Sequence, residues 1–143
     1  MALEDKDPTV TEQPDADIVS AIHVRLGDGR LSCTDAFAVA EEYACSPSVV
    51  GEAADHLQCR LYRCQLGLFG YPNKQGWQAS GVTDLDVPDG LQETITALSK
   101  QRGSLTCRDA WNLARTFRMP RMQVGWVAEK QGVKITACQL GAF

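Results

Sequence analysis

Shifting the 143-residue sequence against itself by 74 positions aligns residues 17–69 with 91–143 without a gap, and 14 of the 53 aligned positions are identical. Ordinary composition would give roughly three by chance. The identities are Gly29, Leu31, Cys33, Asp35, Ala36, Ala40, Val50, Gly51, Ala54, Cys64, Gln65, Leu66, Gly67 and Phe69, each matched 74 residues on. Other pairs are chemically alike, among them Phe37 with Trp111, Val39 with Leu113, Tyr43 with Phe117 and Leu61 with Ile135. A repeated unit implies a repeated fold. At this size one unit is marginal as an independent core, so the two copies are expected to pack against each other.

The elements of a unit follow from its periodicity. Ile18, Ile22 and Leu26 fall at helical spacing over 17–27, as do Leu91, Ile95 and Leu98 in the second copy, with the register shifted by one residue. Gly29 and Gly103 end that helix, and RLSC or SLTC then reads as a short strand. A second helix is predicted from about Thr34 to Ala44 and from Arg108 to Arg118, with Ala36, Phe37, Ala40 and Tyr43, or Ala110, Trp111, Ala114 and Phe117, on one face. Ser46 and Pro47 are start signals for a third helix carrying Val50, Ala54 and Leu57 inward, and Pro120 starts its counterpart. The β-rich runs 59–65 and 133–139 close the units.

The spacing of Ala40, Tyr43, Ala44, Ser46, Val50, Ala54 and Leu57 resembles the core pattern of the winged helix-turn-helix superfamily. In that family an alanine and a large apolar residue lie on the first helix of the motif, a small residue makes the turn, and a serine caps the recognition helix. The resemblance implies a mainly α fold with small β-hairpins, built as tandem winged-helix-like repeats. It implies DNA recognition or, in the same fold, protein binding. The sequence departs from the pattern at Arg118, which stands at the turn of the second copy. Gly70, Pro72, Asn73 and Gly76 suit the tip of a wing hairpin in copy one, whereas copy two has no residues for a returning strand. The expected organisation is an acidic disordered tail over 1–16, a winged-helix copy with its wing over 17–81, a linker over 82–90, and a second helix-turn-helix copy over 91–143.

Charge divides the copies. Over 17–69 there are seven acids and four bases; over 91–143 there are three acids and eight bases, although the whole chain is at −4. The basic copy is therefore the one expected to meet duplex DNA, in a regulatory role, through Arg108, Arg115, Arg118, Arg121, Gln123, Trp126 and Lys130. Trp126 is also read as packing between the copies. The alternative is an acidic tandem winged-helix adaptor for another protein, similar in architecture to the tandem winged-helix subunits of bacterial chromosome-condensing complexes. A second copy of the chain is a further candidate partner.

No Ser-His-Asp arrangement, phosphate-cradling glycine loop or metal-ligand helix is present, so the chain reads as a non-enzyme with no cofactor. No apolar run is long enough for a membrane span and no secretion signal is recognisable, so a cytoplasmic location with reduced cysteines is expected. Cys45 and Cys59 change to Met119 and Val133 and read as core filler. Cys33, Cys64, Cys107 and Cys138 recur. Cys33 and Cys107 precede a helix whose dipole would lower a thiol pKa, and convergence of all four would make a thiol or metal sensor, against which stands the lack of a CxxC pair. The Cys-Gln-Leu-Gly-x-Phe string reads as a strand end with a glycine turn and a buried Phe. Asp35 and Asp109 read as caps or dipole partners.

Overall fold

The computed structural model describes residues 14–143. Residues 1–13, most of the expected acidic tail, lie outside the described residues. The first helix, α1 (Ala16–Arg25), begins inside the expected tail because Asp15 caps it, accepting from the backbone N–H of Asp17 and Ile18. Copy one continues through β1 (Arg30–Ser32), α2 (Cys33–Glu42), α3 (Pro47–His56) and β2 (Arg60–Tyr62). Copy two runs through α5 (Leu91–Arg102), β3 (Leu105–Thr106), α6 (Cys107–Thr116), α7 (Arg121–Lys130) and β4 (Ile135–Thr136). Between them lie a 3-10 turn (Pro72–Lys74), a short helix α4 (Gly76–Ser80) and a second 3-10 turn (Val82–Asp84). The protein is thus mainly helical with two small sheets.

The repeat is strict where it matters for packing. α2 and α6 span residues 74 apart at both ends, and so do α3 and α7. The first helices keep the one-residue offset read from the sequence: Ile18 and Ile22 are buried in one, Leu91 and Ile95 in the other. Local signals place the boundaries. Ser32 and Thr106 cap α2 and α6 by accepting from the N–H of Asp35 and Asp109, and Asp109 completes a capping box by accepting from Thr106 N–H. Asp35 makes no such return bond; it pairs with Arg25 at 3.2 Å, as Asp109 also does with Arg102 at 2.7 Å. The turn after each second helix is left-handed in both copies, at Ala44 (φ 51°) and at Arg118 (φ 54°). Arg118 and Ala44 thus bear a strain that glycine would relieve.

The strands correct one expectation. β1 pairs with β2 in parallel, and β3 with β4 in parallel, so neither sheet is a hairpin. Parallel pairing requires a long crossover, here supplied by the two helices between the strands of each copy. The wing expected around Gly70 to Gly76 is likewise absent: those residues form the 3-10 turn and α4. Val82, assigned to the linker, is buried.

The copies are joined reciprocally about a pseudo-twofold axis. Phe37 packs on its own equivalent Trp111, with centroids 4.3 Å apart, and Phe69 meets its equivalent Phe143 edge-on at 5.9 Å. Only a twofold relation brings two residues against their own counterparts in this way. The segments after β2 and β4 then exchange. Leu66 of copy one is buried in the core of copy two with Leu91, Ile95, Leu105 and Val124, and Leu140 of copy two is buried in the core of copy one with Ile22, Leu31 and Val50. A Cβ on Gly51 would collide with the carbonyl oxygen of Leu140, and one on Gly125 with that of Leu66. This accounts for both the repeated glycine and the repeated string. The string is not a strand end with a buried Phe, as expected. Its buried anchor is the leucine, while Phe69 is half-buried and Phe143 exposed.

Candidate nucleic-acid interface

The residues expected to meet DNA separate into two groups. Arg108 and Arg115 lie seven apart on α6, with Asn112 between them on the same face, and all three are exposed. Arg115 donates to Asn112 Oδ1 at 3.2 Å. Arg118 is exposed in the turn that follows, and Lys130 is exposed at the end of α7. Among the described residues, ion pairs engage Arg25 and Arg102, and none engages Arg108, Arg115 or Arg118.

In the other group Gln123 and Trp126 are taken up by packing, while Arg121 is exposed but engaged by neighbours. Gln123 is 2% exposed, and its amide donates to the carbonyl oxygen of Asp86 at 2.8 Å. It is withdrawn from the surface, contrary to its expected role in meeting DNA. Trp126 packs at 5.3 Å against Trp77 of the connecting segment, with Lys130 Nζ 5.7 Å from its ring, so its ring is partly covered. Arg121 lies 3.6 Å over the ring of Trp111 and donates from Nη1 to Gln65 Oε1 at 2.6 Å, which ties it to the junction between the copies.

One cause explains the positions of Gln123 and Trp126. The connecting segment packs along α7: Trp77 Nε1 donates to Leu66 O at 2.9 Å, Val82 is buried, and α4 and the second 3-10 turn both lie against α7. Gln123, Val124, Gly125, Val127 and Ala128 of that helix are all buried. The element that a helix-turn-helix would insert in the major groove is therefore covered on the side carrying Gln123 and Trp126. Reading 70–81 as a wing hides this, although Trp77 and Val82 are its apolar signal within a stretch rich in turn residues.

Cys64 and Cys107 lie in the core of copy two, and Cys33 lies in the core of copy one with Cys138 packed against it. Cys33 and Cys107 are the first residues of α2 and α6, yet their pKa values rise instead of falling. Burial is the main cause; it pushes Cys33 up to about 12 and outweighs the lowering by Gln65. Cys64 is raised for the same reason. The amide of Gln65 reaches Cys33 Sγ at 3.8 Å and that of Gln139 reaches Cys107 Sγ at 3.5 Å, while Gln65 also accepts from Arg121 across the junction, so this glutamine tethers the two copies. Among the described residues, no group of three or more His, Cys, Asp or Glu side chains is arranged to hold a metal ion. Cys45 and Cys59 are half-buried against the core of copy one.

Comparison of the chain with protein-family models, with curated proteins and with solved structures finds no match. No helix among the described residues is long and apolar enough to cross a membrane.

Proposed function

We propose that this chain is a non-catalytic protein that binds duplex DNA along its phosphate backbone through the basic copy. Its binding residues are Arg108 and Arg115 on α6 and Arg118 in the turn, with Lys130 at the margin. The observation that supports this reading is the exposure of three arginines, without an ion-pair partner among the described residues, on α6 and its following turn in the copy that has eight bases against three acids. Guanidinium groups so placed suit phosphate oxygens. Because α7 is covered, the mode is positioning on the backbone and not base readout. A role in transcription regulation belongs to this reading.

Fluorescence anisotropy with random-sequence duplex at low salt tests it. The parent protein should bind with an affinity that falls steeply with salt. Changing Arg108, Arg115 and Arg118 together to Glu should weaken binding on every sequence and flatten the log–log salt slope by about 0.9 for each phosphate that is no longer neutralised. Absence of salt-dependent binding by the parent, or parental binding by the triple variant, overturns the proposal.

A second reading, an adaptor for another protein, is favoured by an open groove of about 1080 Å³ between copy one and the last residues of copy two. Glu52, Asp55, Arg60, Tyr62, Phe69 and Leu140 line it, mixing charge with apolar surface in the manner of a protein interface. Copy one would then carry the function, and replacing Arg115 and Arg118 would leave binding of that partner unchanged.

A further inference from the structure

The connecting segment meets both copies at an open cleft of about 810 Å³, whose lining includes Ser32, Thr34, Tyr62, Arg63, Tyr71 and Arg121. Its size falls within the range of small-molecule sites. The pseudo-twofold provides an internal control on its composition. Arg63 is replaced by Ala137 in the other copy and Arg121 by Pro47, while Tyr71 belongs to the segment that joins them. Both arginines thus line the cleft on one side of the axis and have no counterpart on the other, where Arg108 stands at the position of Thr34. Asp35 also lines the cleft, but its carboxylate is already paired with Arg25 at 3.2 Å.

Arg121 is held in place, and Arg63 Cζ lies 5.6 Å from the ring centroid of Tyr62. Arg121 is stacked on Trp111, and its hydrogen bond to Gln65 uses one of five N–H donors, leaving the rest of the fork to a ligand. Arg63 has left-handed backbone, φ 55°, as does Ala137 at the equivalent position. That conformation favours glycine and is strained for an arginine. The side chain at this site is one that the backbone does not ask for, and it delivers a cation to the cleft.

We propose that this cleft binds a small phosphate-bearing anion, with Arg63 and Arg121 as the two guanidinium clamps and the hydroxyls of Ser32 and Thr34 beside them. Planar forks match phosphate oxygens in bidentate fashion. The site is separate from the α6 face, and it does not require DNA binding.

The test is titration of the ¹⁵N-labelled chain with inorganic pyrophosphate, followed by amide chemical shifts, with random-sequence duplex as the second arm. Saturable shifts are expected at residues 32–35, 62–65 and 121–122. Arg63→Gly relieves the left-handed strain, so it should be at least as stable as the parent while binding pyrophosphate about tenfold more weakly or worse. Arg121→Gln should also weaken binding, with a thermal melt to show that it is folded. The triple Glu variant at 108, 115 and 118 should keep pyrophosphate binding whatever it does to duplex binding, so the two readings fail separately. Shifts confined to α6 and its following turn, no saturable shifts, or parental affinity in Arg63→Gly overturns the proposal.

Discussion

Gly51 and Gly125 lie in the interior of helices, where glycine is about 1 kcal/mol worse than alanine on intrinsic preference alone. Here the preference is reversed by the carbonyl groups of Leu140 and Leu66, which occupy the space a Cβ would need. Gly51→Ala and Gly125→Ala should each lower the unfolding free energy in urea by about 1–3 kcal/mol. Leu66→Ala should cost about 2–5 kcal/mol and Leu140→Ala a comparable amount, each by opening the core of the opposite copy. The thiols give a second result at this scale. Folding raises the pKa of Cys33 from its ordinary value of 9.0 to about 12, so below pH 9 both folded and unfolded chains hold the proton and stability is indifferent to this group. Between pH 9 and 12 the unfolded thiol ionises first, and stability falls as pH rises. Urea midpoints across that range should decline in the parent and decline less in Cys33→Ala, while at neutral pH the buried thiols should react slowly with iodoacetamide until the chain unfolds.

Among the elements, α7 combines the pattern of a recognition helix with the burial of a core helix. Gln123→Ala should lower stability by about 1 kcal/mol, because the carbonyl of Asp86 loses its donor, and should leave duplex affinity unchanged. A base-reading residue would give the opposite result in anisotropy and in melting. The helices of each copy were legible because apolar period, cap residues and proline at the start of α3 all agreed, and the 74-residue repeat required every boundary to serve twice. The strands were legible as strands but not as partners. Three residues such as Arg60–Tyr62 carry β preference, whereas the direction of pairing depends on where the intervening helices return the chain. The connecting segment misled for a related reason: Gly70, Pro72, Asn73 and Gly76 satisfy a hairpin tip and a helical turn equally well, and Trp77 decides between them only through its packing on α7. Of the candidate site, Arg108, Arg115, Arg118 and Arg121 stayed at the surface, while Gln123 and Trp126 were claimed by neighbours distant in sequence, and Gln65 of the other copy engages Arg121.

At the level of the whole molecule, the two cores each contain one leucine from the other half, and the aromatic pairs on the axis belong to both. Residues 14–84 and 85–143 produced as separate chains should therefore each show little cooperative unfolding, and an equimolar mixture should recover it, as followed by far-ultraviolet circular dichroism. For such a mixture the melting temperature should climb with increasing protein concentration, as for any associating pair. The intact chain behaves otherwise. The stretch from Gly70 to Gly90 makes an isologous association between two similar surfaces an event within one chain, at an effective concentration on the order of millimolar. Its melting temperature should be independent of how dilute it is, and each copy can carry a different charge without losing its mate.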